Sequence, residues 1–234
     1  MSVVIPIYNE IEGVDALLEE LLSVLAPLGD GVEIVLVDDG STDGTRERLH
    51  DWRKKDARIT LVEHECNVGQ SAAMLTGFQF AAAETLVTLD GDGQSDPRDV
   101  FAVLKAMQGA DVVCGIRARR RDSVWRRWGS RLANAVRNRL TGEHLADICC
   151  PVKGLRKSQV TRLKYFNGIH RFLPTLLRLE GATVVEIPVN HRPRARGKSK
   201  YTNLGRLLVT WQDVLAVRWM IRRHRRIVAR RIED

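Results

Sequence analysis

The sequence lacks long apolar runs: no stretch of 18 consecutive apolar residues occurs, although apolar residues make up 44% of its 234 positions. Because a helix that spans a bilayer needs about 20 mostly apolar residues, we expect no membrane-spanning helix. The apolar segment 2–7 lacks the basic start, the length and the cleavage site of a signal peptide. The composition excludes a disordered tail protein and predicts a chain that buries a sizeable core.

Cysteine is scarce as well. The chain has four cysteines, and Cys66, Cys114, Cys149 and Cys150 show no C-x-x-C spacing. The sequence therefore predicts free thiols in a reducing cytoplasm rather than a disulfide framework.

Two nucleotide-binding motifs are missing. The sequence contains no Walker A motif, and no G-x-G-x-x-G follows the first apolar segment. This argues against a P-loop enzyme and against a standard dinucleotide site. Polar residues at strand ends can still hold a nucleotide whose diphosphate is bound to a metal ion.

Charge is distributed unevenly along the chain, which carries 37 basic and 29 acidic side chains and a net charge of +8. Residues 116–140 contain nine arginines and one acid, and residues 218–231 contain seven arginines and no acid. The rest of the chain has 21 basic and 28 acidic side chains, so an acidic body carries two basic segments. Such segments bind nucleic acid, an anionic membrane or a phosphorylated ligand, and composition alone does not choose among them.

The first half of the chain alternates between strand-like and helix-like segments. Apolar runs predict strands at residues 3–7, 32–37, 59–63, 85–89 and 111–115. Helical spacing and capping residues predict helices at 11–26, from Ser41 or Thr42 to Lys55, at 69–83, and from Pro97 to Gln108–Gly109. This pattern predicts an α/β fold with a buried, mostly parallel sheet and helices on both faces.

Acidic residues follow two of the predicted strands. Asp38 and Asp39 end one strand, and Asp90 and Asp92 end another. Ligands of such sheets bind beyond the carboxyl ends of the strands, so we expect these four carboxylates to converge on one edge.

Asp90-x-Asp92 itself indicates a metal site. Two crowded carboxylates repel each other unless a cation neutralises them, and Gln94 adds a neutral oxygen on the same turn. Hard oxygen ligands suit Mg²⁺ or Mn²⁺, which commonly bridge protein and substrate phosphates. The alternative is a polar turn that caps the next helix through Asp96 and Pro97.

Four segments in order resemble the successive signatures of the family-2 glycosyltransferases: residues 4–10, 37–45, 67–73 and 89–97. The resemblance covers roughly residues 1–200 and implies a GT-A fold, a sugar-nucleotide donor, a divalent metal and inversion at the anomeric carbon. We expect a glycosyltransferase domain over residues 1–202 and a basic amphipathic helical extension over residues 203–234.

The later half resembles one branch of that family, the polyprenyl-phosphate sugar transferases of the dolichol-phosphate mannose synthase type. The matching segments are 115–117, 130–131, 146–147 and 196–201. The resemblance implies a lipid-phosphate acceptor at the inner membrane surface and transfer of a hexose, mannose or glucose. The chain departs from the branch at Gly91, where alanine is usual, and at the atypical segment 149–151.

The resemblance also implies roles for individual residues on the donor side. The nucleoside would be held by Pro6, Tyr8, Glu10, Val37 and Asp39. The metal on the donor diphosphate would be held by Asp90, Asp92 and Gln94, with Asp92 also acting in catalysis. The implied donor is of the GDP-mannose or UDP-glucose type.

On the acceptor side, Arg117 and Arg131 are implied to grip the acceptor phosphate as catalytic groups, because arginine can bind phosphate bidentately. A loop with Arg196, Lys198 and Lys200 would close over the phosphates of both substrates. Asp147 either positions a sugar hydroxyl or pairs with an arginine. For His64, His144, His170 and His191 we expect structural roles.

Two segments are candidates for a membrane surface. Helical spacing over 124–140 places Trp125, Trp128, Leu132, Val136 and Leu140 on one arc with arginines outside it, although such a stripe also suits packing on the sheet. Residues 204–221 predict a second apolar helix that runs into the basic segment 219–226 and suits a lipid-surface anchor or an oligomer contact. We expect a protein attached peripherally to the cytoplasmic face of the membrane.

Two other functions remain open. The same fold can transfer a sugar to a soluble saccharide or protein. The arginine clusters can also bind nucleic acid, but no nucleic-acid-binding signature occurs and an acidic strand edge would repel a polyanion, so we expect no nucleic-acid partner.

Overall fold

The computed structural model describes residues 1–117, 135–193 and 203–225. Within these ranges seven strands form one sheet: β1 (Ser2–Ile7), β2 (Glu33–Asp38), β3 (Ile59–Glu63), β4 (Thr85–Thr88), β5 (Val112–Arg117), β6 (Lys153–Arg156) and β7 (Val184–Val189). The α-helices are α1 (Val14–Leu25), α2 (Thr45–Lys55), α3 (Gln70–Phe80), α4 (Asp99–Ala106), α5 (135–141), α6 (Lys157–Val160), α7 (Leu173–Leu179) and α8 (Asn203–Arg223). Short 3₁₀ turns occupy Ala26–Gly31 and Ile169–Arg171.

The strand order is β3-β2-β1-β4-β6-β5-β7. All neighbouring strands run parallel except β6, which is antiparallel to both β4 and β5. The carboxyl ends of β1, β2 and β4 therefore meet at one edge of the sheet. Because β6 runs the other way, its first residue, Lys153, lies at that same edge, where it pairs with Thr88.

Helices cover both faces of the sheet. Alternate residues of a strand point to opposite faces, and in β1 the side chains of Val3 and Ile5 belong to a core layer that includes residues of α1, α2 and α4. Val4 belongs to a second layer with residues of α3, α7 and α8. This explains the near-continuous apolar strands and confirms the predicted α/β class.

The predicted strands and helices of the first half are confirmed, with ends shifted by a few residues. The start of α2 was wrongly predicted. Neither Ser41 nor Thr42 caps it, because the residue at the N-cap is Gly44. The Ser41 hydroxyl instead accepts a hydrogen bond from the Asn9 backbone N–H at 2.9 Å, and the Thr42 N–H donates to the Asn9 side chain. The helix begins instead at Thr45, after Gly44 in the left-handed region with φ 92°.

The described part of the predicted extension packs on the sheet domain. In α8, Val214 and Val217 are buried in the second core layer. Asp213 of α8 forms an ion pair at 3.3 Å with Arg171, which belongs to the 3₁₀ turn Ile169–Arg171. Among the described residues, no helix is both long enough and apolar enough to cross a membrane.

Close packing of α3 on β1 depends on Gly77. A Cβ atom at this position would lie 2.3 Å from Cγ1 of Val4 and 3.2 Å from Cγ2 of Val37. We expect Gly77→Ala to lower the free energy of unfolding by about 1–3 kcal/mol, the usual cost of overpacking a core. Urea denaturation measures this change.

The matched control is Gly109→Ala, where an added Cβ atom meets no other atom within 4 Å. This variant should unfold at the same urea concentration as the unchanged chain. Equal midpoints for the Gly77 and Gly109 variants would contradict the packing argument.

Candidate functional site

A cleft of about 560 Å³ opens at the sheet edge where β1, β2 and β4 end. Most of the residues predicted on the donor side line it, together with the predicted acceptor residue Arg117: Pro6, Tyr8, Glu10, Asp39, Asp90, Asp92, Gln94 and Arg117. The fold thus brings together residues that lie more than one hundred positions apart in the sequence.

Other predicted residues lie elsewhere. Val37 is fully buried in the second core layer beneath α3, so its side chain is not part of the cleft. Arg131, Arg196, Lys198 and Lys200 lie outside the described residues, as does most of the candidate helix at 124–140.

The expectation that Asp38 joins the other carboxylates is wrong. Its side chain is fully buried outside the cleft lining, where it accepts a hydrogen bond from Nε of Arg46 at 2.9 Å. It also accepts one from the backbone N–H of Ser41. Asp38 therefore shapes the turn after β2, and three carboxylates of the predicted four face the cleft.

Asp39 holds the loop that forms one wall of the cleft. Its Oδ1 lies 2.8 Å from Nδ1 of His64 and accepts a bond from the backbone N–H of Val68 at 3.0 Å. Its Oδ2 accepts bonds from the Asn67 side chain and the Gly69 N–H, both at 2.9 Å. A carboxylate has about four acceptor sites, so this network uses the whole capacity of Asp39.

The Asp-x-Asp turn lies at the floor of the cleft. Oδ1 of Asp90 accepts a hydrogen bond from the Gln70 side chain at 3.0 Å, and Oδ1 of Asp92 accepts one from the Gln94 N–H at 3.1 Å. Burial and the neighbouring Asp92 charge raise the pKa of Asp90 to about 6. The Gln94 amide donates to the carbonyl of Arg192 at 3.1 Å, which fixes the orientation of its side chain.

Gly91 separates the two aspartates for a packing reason. A Cβ atom there would lie 2.9 Å from the carbonyl oxygen of Pro6 and 3.0 Å from Cγ1 of Ile7. The end of β1 thus approaches the turn too closely for a side chain, which accounts for the departure from the alanine expected at this position.

Arg117, at the end of β5, forms the opposite wall. Its Nε and Nη2 donate to the two oxygens of Asp147 at 2.7 and 2.9 Å. Burial acts against the charge of Arg117, but the Asp147 partner outweighs it and raises the pKa of the guanidinium. Of the two roles left open for Asp147, the structure displays the pairing with an arginine.

The cleft also contains residues that the sequence analysis did not assign to it. These are Gln70, Cys149, Lys153, His170, Arg171 and His191. No local signal in the sequence indicated Lys153, because the strand it begins, Lys153–Arg156, contains no apolar run. His170 lies 2.6 Å from the Ser71 hydroxyl, and that hydroxyl also accepts the Gly168 N–H.

With this geometry in view, comparison with known proteins identifies the family. The sequence profile described as Glycosyl transferase family 2 matches residues 2–163. The chain belongs to glycosyl transferase family 2. This confirms the family expected from the motifs, and the matched range contains β1 to β6 with most of the cleft.

Curated relatives resemble the chain over most of its length. An undecaprenyl-phosphate 4-deoxy-4-formamido-L-arabinose transferase of Pseudomonas aeruginosa (strain LESB58) is 40% identical over 92% of this chain. The transferase of the same name from Pectobacterium carotovorum subsp. carotovorum is 36% identical over 92%. The chain spans 64% of the length of the first relative and 66% of that of the second.

Solved structures share the fold of this family-2 member. One is a mannosyltransferase from Pyrobaculum calidifontis in complex with GDP-Man and Mn²⁺. The match covers 97% of this chain and 65% of the mannosyltransferase chain, with a TM-score of 0.67 and 21% sequence identity. Another is a glucosyl-3-phosphoglycerate synthase from Mycobacterium tuberculosis in complex with Mn²⁺, UDP and phosphoglyceric acid. The match covers 94% of this chain and 77% of the synthase chain, with a TM-score of 0.69 and 20% sequence identity. These likenesses confirm the predicted GT-A type of α/β fold.

The hydrogen bonds of Asp39 lead to a stability prediction. Asp39→Asn replaces one acceptor oxygen of this nearly buried side chain by a donor amide, so that N–H groups of the 64–69 loop lose a hydrogen-bond acceptor. We expect the free energy of unfolding to fall by about 1–3 kcal/mol. Amide hydrogen exchange at Val68 and Gly69 should accelerate, and mass spectrometry of peptides from this loop detects the change.

Asp51→Asn on the exposed surface of α2 is the matched control, and we expect its effect to stay within about 0.5 kcal/mol. Unchanged exchange in the loop of the Asp39 variant would show that the carboxylate does not organise this wall.

Proposed function

We propose that this chain transfers a sugar from a nucleotide-sugar donor to a polyprenyl phosphate with the help of Mg²⁺ or Mn²⁺. The observation that carries the proposal is one cleft with a carboxylate pair on its floor and cationic side chains on its opposite wall. The names of the curated relatives support a polyprenyl-phosphate acceptor.

The residues on the floor fit a divalent cation. Asp90 and Asp92 supply carboxylate oxygens on one turn, and their mutual repulsion is relieved when a cation is present. Two aspartates with Gln94 make a small ligand set, which leaves coordination positions for phosphate and water oxygens. When bound, the ion supplies charge that stabilises the leaving nucleoside diphosphate.

A phosphate acceptor changes what the protein must do. A phosphate monoester has a second pKa of about 6, so it is largely ionised at neutral pH and needs no dedicated general base. The protein has instead to hold two anionic substrates side by side. Cationic side chains opposite the carboxylate floor meet this need.

Arg117 is suited to hold the acceptor phosphate. Asp147 engages two of its nitrogens, which fixes the plane of the guanidinium and leaves Nη1 for a ligand. The side chain is less than one-fifth exposed, so a phosphate oxygen here would be bound largely out of water. We include Arg131, Arg196, Lys198 and Lys200 in the proposal on the basis of the motifs alone.

The proposal also concerns which sugar the donor carries. The motifs predict mannose or glucose on GDP or UDP, whereas the curated relatives are named for 4-deoxy-4-formamido-L-arabinose. Turnover of a panel of nucleotide sugars by one enzyme preparation separates these donors. Tyr8 and Glu10 would contact the nucleoside, and Asp39 would act through the 64–69 loop that it holds.

We further propose that α8 contacts the surface of the membrane that contains the acceptor. Three large apolar side chains on it are exposed: Trp211 by 48%, Leu215 by 45% and Trp219 by 62%. They follow at intervals of four residues and share one face with Arg218 and Arg222. Tryptophan and arginine together suit the membrane–water interface, and the opposite face of α8 is buried in the protein.

Removal of a carboxylate from the floor tests the catalytic proposal. We expect Asp92→Ala to reduce transfer of labelled sugar to polyprenyl phosphate by at least about a thousandfold, because charge stabilisation of this kind is worth several kcal/mol. Extraction of the labelled lipid into organic solvent after incubation with Mn²⁺ measures the product. The circular dichroism spectrum should stay unchanged.

Asp51→Ala serves as the matched control, because Asp51 lies exposed on α2. Transfer by the Asp92 variant at the rate of this control would contradict the assigned role. No transfer by the unchanged chain, with every common nucleotide sugar and with Mg²⁺ or Mn²⁺, would contradict the proposed function itself.

The α8 surface leads to a second prediction. The double variant Trp211→Ala with Trp219→Ala should bind vesicles that contain anionic lipid at least about tenfold more weakly, because each buried aromatic side chain contributes over 1 kcal/mol. Co-sedimentation measures binding, and added salt should weaken it further. Phe80→Ala, at an exposed aromatic residue on α3, is the control, and equal binding by both variants would count against α8.

A further inference from the structure

Lys153 is a buried cation in the wall of the cleft. It is the first residue of β6, and its backbone pairs with Thr88 of β4 and Cys114 of β5. The side chain lines the cleft with Asp90 and Arg117, yet the residue is only 3% exposed. The reversed direction of β6 places this lysine at the edge where the substrates would lie.

The ammonium group of Lys153 has little to bind in the described structure. It donates to the carbonyl of Cys150, and among the described residues no carboxylate oxygen lies within 4.0 Å of Nζ. An ammonium has three donors, so two remain for other partners. Burial of a charge without an ionic partner is unfavourable, so an anion in the cleft would be favoured at this position.

The other described cations of the cleft wall differ in this respect. Arg117 is paired with Asp147 at 2.7 Å, and Arg171 is paired with Asp213 at 3.3 Å. Each of these charges is balanced within the protein. Among the cationic side chains that the structure describes in the lining, Lys153 is thus the one whose charge has no carboxylate partner in contact.

Attraction to the carboxylates on the floor of the cleft does not by itself explain why a lysine is buried at this position. Its positive charge acts on Asp90, but it forms no ion pair with that side chain. A divalent cation on Asp90 and Asp92 would moreover repel a second positive charge nearby. The divalent cation and the Lys153 ammonium group are compatible when phosphate oxygens lie between them. A cleft that holds a diphosphate and a second phosphate provides such oxygens.

We propose that Lys153 binds a phosphate oxygen of a substrate in this cleft. The proposal rests on the proposed function and extends it, since the motifs did not indicate this residue. The phosphate belongs either to the donor diphosphate or to the acceptor, and both present the same chemistry to an ammonium group.

Two neutral variants separate charge from structure. Lys153→Gln keeps an N–H donor for the Cys150 carbonyl but removes the charge, and Lys153→Met removes both. Lys105→Gln, at an exposed lysine on α4, is the control. We measure binding of a nucleoside diphosphate with Mn²⁺ by calorimetry, and steady-state transfer with varied polyprenyl phosphate.

We expect both Lys153 variants to fold and to lose at least about tenfold in kcat/KM. Weaker binding of the nucleoside diphosphate would assign the lysine to the donor. Unchanged binding with a raised KM for polyprenyl phosphate would assign it to the acceptor. Either result supports the proposal, and Lys153→Arg should restore part of the lost activity.

Wild-type behaviour of Lys153→Gln in both measurements would overturn the proposal, because it would leave only the structural bond to Cys150. Failure of both neutral variants to fold would also overturn it, because the charge would then serve the fold. If the unchanged chain transfers no sugar but binds nucleoside diphosphate more tightly than Lys153→Gln, the proposed function fails and phosphate binding by Lys153 stands.

Discussion

The reversed direction of β6 is the constraint on which the rest of the site depends. A sheet of parallel strands alone presents only strand carboxyl ends at one edge, which here are the ends of β1, β2 and β4. With β6 inserted between β4 and β5, a strand begins at that edge, and backbone pairing of Thr88 with Lys153 fixes its register. The loop before β6, with Asp147 and Cys149, is thereby held against Arg117.

This arrangement divides charge within a single cleft. Asp90 and Asp92 lie on the floor at the end of β4, and Arg117 and Lys153 lie on the wall formed by β5 and β6. The two groups are close enough for the cations to act on Asp90, but they do not neutralise each other as ion pairs. Such a cleft favours a ligand that has both a bound cation and exposed phosphate oxygens.

Local sequence patterns predicted the first half of the fold because its strands are buried on both faces and read as apolar runs. They failed where side-chain direction matters. Asp38 and Asp39 are adjacent in the sequence, but successive side chains of a strand point to opposite faces. Asp38 therefore turns toward Arg46, whereas Asp39 turns toward the 64–69 loop. The order of residue types alone does not show toward which side of the sheet each aspartate points, because that depends on the register of the strands.

The position of Lys153 in the cleft was missed for a related reason. The short strand β6 contains charged residues and a glycine, so its sequence lacks the apolar run that predicted β1 to β5. Only pairing with β4 and β5 shows that it lies inside the sheet. Gly154 follows Lys153 because a Cβ atom there would lie 2.6 Å from Cγ1 of Val103. Tertiary packing thus determines the sequence of this strand more than its local propensity does.

An ion pair connects the cleft with α8. Arg171 lines the cleft and contacts Asp213, which belongs to α8, the helix that carries the exposed Trp211 and Trp219. Gly168 permits this approach, because a Cβ atom there would lie 2.4 Å from Oδ2 of Asp213. The exposed face of α8 is thus held in a fixed relation to the cleft by packing and charge. If α8 docks on a membrane as proposed, this packing gives the cleft a defined orientation toward the membrane surface.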